Sequence, residues 1–451
     1  MKFKMKPSIM LGEIVMEFET LKKSHLKRNI IVGVVVVAII SAVILNFTRA
    51  KYRVTESIPL VNGMINYSLP DLNIIGLYID GIEATELDSS KTYILDTTQS
   101  TCTYKDGTEI SNLVISYDSE TGRLSISPFT TKGTKCTLHF NEQKILLVDA
   151  ILDEKELKIR TDFSTPLSIN TDGVLYYDTT TRGTTYYYAG DTNENWVKFG
   201  GFYWRIIRIN EDGTIRLIYS GSEESGPITQ GADTQIGTST FNSIDNNNMY
   251  VGYMYQDEQV HGLQNDSTIK EILDEWYRNN LVDYTNDIDG SAGFCGDRTS
   301  FINSSGTSNG GGTGTTQTYY SGYIKLYNAE HPNLDCSNED LYTTSDSISG
   351  NKALDYPIGL ISIDEVIYAG GAPGPDNDKY YLYTGQSYWT MSPMLFSGNA
   401  YIIVVHSYGY LGDQINCMAH YVYGVRPVIN LKADVIISSG DGTASNSYVV
   451  V

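Results

Sequence analysis

A run of twenty residues without a charged side chain, residues 29–48, constrains this chain more than any other feature. At a helical rise of about 1.5 Å per residue, such a run spans roughly 30 Å, the thickness of the hydrocarbon core of a bilayer. Residues 1–28 carry seven basic side chains against three Glu, which places them in the cytoplasm by the positive-inside rule. No A-x-A-like cleavage site follows, so the run predicts an uncleaved signal anchor. The chain is therefore expected to cross the cell membrane once, with its C-terminal domains extracellular.

The chain as a whole is acidic and rich in glycine and tyrosine. It contains 53 Asp and Glu against 32 Lys and Arg in 451 residues, a formal net charge of −21. This balance argues against a nucleic-acid partner, because neutralising phosphates requires clustered Lys and Arg. The 41 Gly and 35 Tyr favour a β-rich extracellular protein over a helical cytosolic enzyme.

Five cysteines agree with an oxidising location. None belongs to a C-x-x-C motif, which argues against zinc ribbons and thioredoxin-like redox sites. Cys102 with Cys136, and Cys295 with Cys336, are the pairings closest in sequence, although spacing leaves the connectivity open. Cys417 is left over, either as a small, partly buried thiol or as a reactive one.

Turn signals and short β-prone runs divide the rest of the chain into domains. Runs such as KTYILD and KCTLHF alternate with Asp-Gly and Thr-Gly turns, which indicates a small antiparallel, Ig-like β-sandwich. A charged segment without a strand pattern then marks a boundary. The predicted organisation is a cytoplasmic basic segment (1–28), a transmembrane signal anchor (29–48), a β-sandwich stalk domain (49–148), a linker (149–173) and a surface domain (174–451).

Short local patterns predict elements within the surface domain. Asp212-Gly213 lies between two β-prone runs and predicts a hairpin, because Gly tolerates the positive φ of a tight turn. Ser362 and Glu365 have the spacing of a capping box at the start of a short helix. The last residues of the chain predict one more hairpin.

Residues 266–281 predict the clearest soluble helix. Asp266 or Ser267 would cap its N-terminus. Apolar side chains recur at i, i+3, i+4 and i+7, which predicts one buried face. That face consists of Ile269, Ile272, Leu273 and Trp276.

No pattern in the sequence predicts a catalytic centre. Residues 306–310 read G-T-S-N-G, but this match to a nucleophile elbow lies in low-complexity sequence without the strand and helix that the chemistry needs. Cys417 and His420 are near enough in sequence for a thiolate–imidazole pair, yet nothing fixes their geometry. Asp376 and Asp378 are weak candidates for calcium ligands, and an ordinary Asx turn is the favoured interpretation. No other cofactor is expected.

Residues 388–431 are expected to carry the binding surface. Trp389 is expected in the core, as are Trp204 and Trp276, and Arg426 is expected to bind backbone carbonyls. The interior of the stretch is rich in Tyr, Ser, Gly and Asn, a composition that supplies adaptable contacts in antibody-like paratopes. The candidate contact residues are Tyr401, Tyr408, Tyr410, Tyr421, Tyr423 and His406.

Several motifs occur in a characteristic order: FYWRIIRINEDGTIRLIYSG, DSTIKEILDEWYRNNL, YPIGLISIDEVIYAGG, YWTMSP and GVRPVINL. In these, residues 174–451 resemble a group of uncharacterised, membrane-anchored surface proteins of Firmicutes and related bacteria. The domain that contains Cys102 and Cys136 looks like the β module that often precedes it. The resemblance implies an architecture and no established activity.

W-x-M-S-P followed by G-V-R-P-V is distantly similar to the end of the formylglycine-generating-enzyme branch of C-type-lectin-like folds. This similarity implies that a Trp-containing strand and a terminal strand frame variable loops. Enzyme members use a cysteine pair near the end of the domain, where this chain has Cys417 alone. The similarity therefore does not extend to oxidase chemistry.

The expected fold class is α+β and β-rich, with an N-terminal transmembrane helix, a small β-sandwich and a C-type-lectin-like domain. The expected function is adhesion to, or binding of, an extracellular protein or glycan by a membrane-anchored protein. The alternatives are an extracellular cysteine- or metal-dependent enzyme and a structural protein of the cell envelope.

Overall fold

The chain divides into two compact units, Met1–Ser89 with Tyr93–Asn141, and Ser90–Thr92 with Glu142–Val451. The first described residues form an antiparallel hairpin of β1 (Lys4–Met10) and β2 (Glu13–Glu19). The structure is a computed structural model that describes residues 4–10, 13–19, 72–88, 91–119, 121–127, 134–258, 262–301, 311–327, 331–412 and 417–451.

The remaining strands of the first unit are β3 (Leu72–Ile79), β4 (Ile82–Glu83), β5 (Tyr93–Leu95), β6 (Thr101–Tyr104), β7 (Val114–Asp118), β8 (Arg123–Ser127) and β9 (Thr134–Glu142). Strand β9 is central, pairing in parallel with β3 and antiparallel with β6. Its alternating pattern buries Cys136, Leu138 and Phe140 on one face. Cys102 lies opposite Cys136 and forms the first disulfide, which confirms that pairing.

A ten-stranded sheet runs through the second unit, in the order β10-β28-β29-β14-β15-β13-β12-β11. Strand β16 pairs with β15 on one side and with β27 on the other. The strands are β10 (Ile145–Leu146), β11 (Glu156–Lys158), β12 (Val174–Thr180), β13 (Gly183–Tyr187), β14 (Trp196–Phe199), β15 (Phe202–Ile209), β16 (Ile215–Ser222), β27 (Val428–Leu431), β28 (Ile436–Ser439) and β29 (Tyr448–Val450).

A six-stranded sheet surrounds β24, which is buried along its whole length. Its strands are β17 (Gly237–Thr240), β21 (Ser300–Phe301), β22 (Thr318–Tyr320), β24 (Tyr388–Phe396), β25 (Ala400–Val405) and β26 (Val422–Val425). Two short pairs complete the strands: β18 (Met254–Tyr255) with β19 (Asn265–Asp266), and β20 (Phe294–Cys295) with β23 (Leu341–Tyr342).

The helices of the second unit are short and pack against the sheets. The α-helices are α1 (Leu147–Leu152), α2 (Thr268–Asn280), α3 (Ser321–Tyr327) and α4 (Ile363–Tyr368). Single 3₁₀ turns lie at Ala232–Thr234, Asn248–Val251 and Val282–Tyr284.

The local sequence signals are confirmed. Strands β15 and β16 form the predicted hairpin, with Gly213 at a φ of +84° in its turn. Both hydrogen bonds of the capping box between Ser362 and Glu365 are present at the start of α4. The final hairpin is formed by β28 and β29. Cys295 and Cys336 form the second disulfide.

The predicted fold class is wrong because it includes a transmembrane helix that the structure does not support. The structure is β-rich, with 37% strand and 12% helix, and no helix among the described residues is both long enough and apolar enough to cross a membrane. The predicted span, residues 29–48, lies outside the described residues. A run of β-branched Val and Ile satisfies the length rule for a membrane helix and also has the composition of buried strands, so hydropathy alone does not distinguish the two.

Two further expectations concern the arrangement of elements. The sheet of the first unit is mixed rather than purely antiparallel, because alternation specifies which face is buried and not the direction of the neighbouring strand.

The residues predicted as a linker, 149–173, belong to the second unit. Within them Ile151 is buried, and the guanidinium of Arg160 donates to the carbonyl oxygens of Ile367 and Tyr368 at 2.7 and 3.1 Å.

Candidate functional site

An open groove of about 380 Å³ lies on the second unit. Its walls come from the end of β16 and the turn after it, the 3₁₀ turn at Ala232–Thr234 with the two residues that follow, and α2. Its volume lies within the range of small-molecule sites. The groove is lined by Tyr219, Ser222, Glu224, Ser225, Asp233, Gln235, Ile236 and Trp276.

One wall of the groove is aromatic. Trp276 is half-buried and packs against Phe202, with ring centroids 5.1 Å apart, and edge-on against Tyr219 at 5.8 Å. Trp204 lies behind them, fully buried, with its indole N–H donating to the Phe199 carbonyl at 3.0 Å. Aromatic clusters of this kind hold their rings in defined orientations. The indole of Trp276 is therefore a fixed, partly exposed platform.

Trp276 is only partly buried because α2 is rotated from its predicted orientation. The buried side chains of the helix include Ile269, Leu273 and Tyr277, whereas Ile272 is 38% exposed. Lys270 is also buried, and its ammonium contacts the carboxylates of Asp274, in the helix, and of Asp266, just before it. Burying this ion-paired lysine turns Trp276 to the margin of the core. The predicted helix is confirmed, with Ser267 as its N-cap, and Trp276, which was expected in the core, packs against it as a partly buried side chain.

The other lining residues of the groove are mostly polar. Glu224 and Asp233 are both exposed. Burial raises the pKa of the Tyr219 hydroxyl, and the charge of Asp233 raises it further. The hydroxyls of Ser222 and Ser225 hydrogen-bond each other at 2.8 Å. The groove thus combines hydroxyls and carboxylates with an aromatic ring.

Gln235 contributes a buried amide. The residue is 9% exposed, and its Oε1 has no hydrogen-bond partner within the described residues. The amide occupies the space that a side chain at position 424 would fill, since a Cβ there would lie 1.5 Å from Oε1. Gly424 therefore makes room for the amide. A buried amide oxygen without a partner costs free energy, and this one lies against Gly424 with less than 1 Å² of accessible surface.

A buried arginine supports the floor of the groove. Arg426 is 1% exposed, and its Nε and Nη2 donate to the Tyr219 carbonyl at 3.2 and 3.0 Å. Its Nη1 donates to the Leu382 carbonyl at 3.2 Å, and its guanidinium lies 4.8 Å from the centroid of the Tyr388 ring. The prediction that Arg426 binds backbone carbonyls is confirmed. The charged guanidinium of Arg426 therefore interacts with groups inside the fold and is not available to a ligand.

A second cavity of about 20 Å³ has room for about one water molecule. Its walls include Arg208, Arg216 and Glu365, all buried. Glu365 Oε1 lies 3.2 Å from Arg208 Nε and also pairs with Arg216 Nε. Its Oε2 accepts from the Ser362 N–H at 3.0 Å. The cavity is thus part of a buried ion-pair network and is too small for an organic ligand.

The predicted tyrosine surface is divided between the two ends of β25. Tyr408 is 65% exposed, and Tyr410 stacks on His406 with ring centroids 4.5 Å apart, both beyond the Val405 end. Tyr421 packs beside His420 near the Ala400 end, because Ala419 N donates to the Ala400 carbonyl. At about 3.3 Å per residue the two ends are roughly 20 Å apart. These tyrosines therefore do not form one contiguous surface.

Other candidate contact residues lie inside the fold. Tyr401 is 9% exposed and His406 is 7% exposed. Tyr423 is half-buried against Trp389, with ring centroids 5.1 Å apart. Of the six predicted contacts, Tyr408 is the one with a largely exposed side chain.

Cys417 lies near a different histidine from the one predicted. The residue is fully buried, and its Sγ lies 4.0 Å from Nε2 of His406. His420, the predicted partner, instead contacts Asp245 through Nδ1 at 2.6 Å. A nucleophile needs access to its substrate, which this burial denies to the thiol.

We expect Cys417 in the folded chain to resist alkylation and to react only when the second unit unfolds. The reason is its zero exposure behind packed side chains. Labelling with iodoacetamide, followed by mass spectrometry with and without denaturant, measures this. Labelling of the native chain at the rate of an exposed thiol would contradict it.

The calcium candidates lie in a turn. Asp376 and Asp378 are exposed on either side of Asn377, which is 3% exposed. The Asn377 amide donates to the Gly370 carbonyl at 3.0 Å, and its Oδ1 accepts from Lys379 N at 3.1 Å. This is the expected Asx-type arrangement, and calcium binding there stays a prediction.

A separate carboxylate cluster already contains a cation. Oxygens of Asp266, Asp274 and Asp355 lie within 4.8 Å of one another. The ammonium of Lys270 lies 2.9 Å from Asp266 Oδ2 and 2.6 Å from Asp274 Oδ2. It supplies the positive charge that a metal ion would otherwise supply.

No protein-family model, curated protein or solved structure matches this chain. The resemblance to Firmicutes-type surface proteins therefore stays a prediction, and the argument for function rests on the groove.

Proposed function

We propose that this protein binds carbohydrate in an oxidising compartment outside the cytosol, through the groove beside Trp276. One observation carries the proposal: a partly exposed indole, held by its aromatic neighbours, lines a groove of ligand size together with hydroxyls and carboxylates. Sugars present apolar C–H faces that pack on aromatic rings, and hydroxyls that need hydrogen-bond partners. The two disulfides support the location, because such bonds persist in oxidising compartments.

Binding fits the groove better than hydrolysis does. A glycosidase needs a carboxylic acid held protonated by desolvation, paired with a second carboxylate across the scissile bond. Glu224 and Asp233 are both exposed to solvent. The groove therefore favours recognition without bond cleavage.

We expect Trp276→Ala to weaken glycan binding by about tenfold to thirtyfold, because a central aromatic contact typically contributes about 2 kcal/mol. An array of immobilised glycans identifies the ligand, and titration calorimetry with the purified chain gives Kd. Trp276→Phe retains the packing against Phe202 and is expected to lose less affinity.

Tyr284→Ala is the matched control. Tyr284 is an exposed aromatic residue (38%) that packs on Phe199 and does not line the groove. It should bind glycan like the original chain. A chain that binds no glycan, or a Trp276→Ala variant with unchanged affinity, would exclude the proposed function.

A protein ligand at the Tyr408 loop is the second candidate. It is favoured by the 65% exposure of Tyr408, an amphipathic side chain suited to protein contacts. Pulldown with the original chain and with Tyr408→Ala distinguishes this surface from the groove. A protein partner lost with Tyr408→Ala and retained with Trp276→Ala would favour the loop.

A further inference from the structure

The groove presents negative charge that nothing within its described lining neutralises. Its two ionisable rim groups are Glu224 and Asp233, and none of its described lining residues is basic. The nearest adjoining lysine on β14, Lys198, is engaged by Glu223, with Nζ 3.1 Å from Oε1. Arg426 lies under the floor and donates to backbone carbonyls. The rim therefore attracts cations.

Both charged groups of the groove are hydrogen-bond acceptors. Carboxylates accept hydrogen bonds and do not donate them. A ligand that fits Glu224 and Asp233 must therefore be rich in donors. A protonated amine offers three N–H donors and a positive charge.

Trp276 suits the same ligand. An indole is the most favourable side chain for a cation–π contact, and the strength of the contact grows as the cation is desolvated. Phe202 and Tyr219 hold the ring in place, so binding requires little reordering. The formal charge of −21 on the chain further favours cationic ligands over anionic ones.

From these features we infer that the ligand is an oligosaccharide with free amino groups, rather than a neutral or acidic one. This inference rests on the proposed carbohydrate-binding function. The protonated amine binds at the carboxylates of Asp233 and Glu224, and the sugar ring packs on Trp276.

Titration calorimetry with glucosamine oligomers and with N-acetylglucosamine oligomers of equal length tests the inference. The purified chain is used at about pH 5, because neighbouring ring oxygens make an amino-sugar amine less basic than a lysine side chain, while Asp and Glu side chains remain mostly ionised. We expect the free-amine oligomer to bind at least about tenfold more tightly, since charge-assisted hydrogen bonds are the stronger ones. Equal affinities, or tighter binding of the acetylated oligomer, would overturn the inference and leave the proposed function standing. If neither oligomer binds, the inference fails, and the glycan array decides separately whether the proposed function stands.

Three variants distinguish binding in the groove from non-specific attraction of the amine by the net charge of the chain. Asp233→Asn keeps the shape of the side chain and is expected to abolish most of the preference for the amine, while binding of the acetylated oligomer is unchanged. Asp346→Asn removes an exposed carboxylate that does not line the groove, and its preference should be unchanged. With Trp276→Ala, binding of the free-amine oligomer should fall by about tenfold or more. An amine preference that survives Asp233→Asn combined with Glu224→Gln would overturn the inference.

Discussion

Glu365→Gln is expected to lower the free energy of unfolding of the second unit by about 3–5 kcal/mol, the usual cost of removing one partner from a buried ion pair. Glu365 is 3% exposed and Arg216 is 1% exposed, so neither charge is solvated by water. Burial lowers the pKa of Arg216 to about 10, which leaves the guanidinium charged at neutral pH. Without the carboxylate, the buried Arg216 guanidinium would have no carboxylate partner among the described residues, and Arg208 would keep only Glu211, 3.9 Å away.

Urea unfolding of the purified chain, followed by tryptophan fluorescence, measures the loss. Asp346→Asn, an exposed carboxylate, is the control and should change stability by no more than about 0.5 kcal/mol. A cost below about 1 kcal/mol for Glu365→Gln would mean that the network does not stabilise the fold.

The same variant should change the response to acid. Burial alone would raise the pKa of Glu365, but Arg216, Arg208 and the Ser362 N–H outweigh it and hold the pKa below its ordinary value of 4.5. A carboxyl group whose pKa is lower in the folded state than in the unfolded state stabilises the fold at pH values above its unfolded-state pKa. That stabilisation is lost as the pH falls through its folded-state pKa. Glu365→Gln lacks this contribution at every pH. The difference in stability between the two chains should therefore shrink below about pH 4.5.

Sequence patterns predicted the elements whose information is local. Asp212-Gly213 defines its hairpin, and Ser362 with Glu365 defines the start of α4, because each pattern acts within a few residues. The pairing of strands is not local in this way. Arg216 of β16 lies opposite Asn430 of β27, more than two hundred residues away.

The candidate groove was missed for the same reason. It joins Tyr219, Asp233 and Trp276 from three separate segments, none of which has a binding motif of its own. The helical period of α2 predicted a face that included Trp276, but the ion-paired Lys270 took part of the interior instead. The one available sequence signal of this rotation was a lysine with Asp at i−4 and i+4. Such spacing allows carboxylates one helical turn away on either side to neutralise the charge of a buried lysine.

The tyrosine-rich stretch shows the reverse case, in which composition suggested a surface that the fold divides. Residues 388–396 form a central strand that is buried throughout, and Tyr401 and Tyr423 pack inward. Composition indicates what a set of side chains can do when they lie together. Whether they lie together depends on the position of β25, which separates Tyr408 from Tyr421.

Removal of the Cys102–Cys136 disulfide should unfold the first unit at physiological temperature while the second stays folded. The bridge joins residues 34 apart in sequence, and a loop of this length gives about 3–4 kcal/mol by the chain-entropy estimate. A small domain has little stability beyond that amount. The second unit has a much larger core, so the double variant Cys295→Ala/Cys336→Ala loses a similar free energy without unfolding.

Limited proteolysis at 37 °C, read by mass spectrometry, distinguishes the two double variants. With Cys102→Ala/Cys136→Ala we expect cleavage sites within residues 72–141 and an intact fragment from about Glu142 onwards. With Cys295→Ala/Cys336→Ala both units should resist the protease, apart from cuts between the two former cysteines. Equal resistance of both variants would contradict this prediction. It would show that the hydrophobic core around Leu138 and Phe140 keeps the first unit folded without the disulfide.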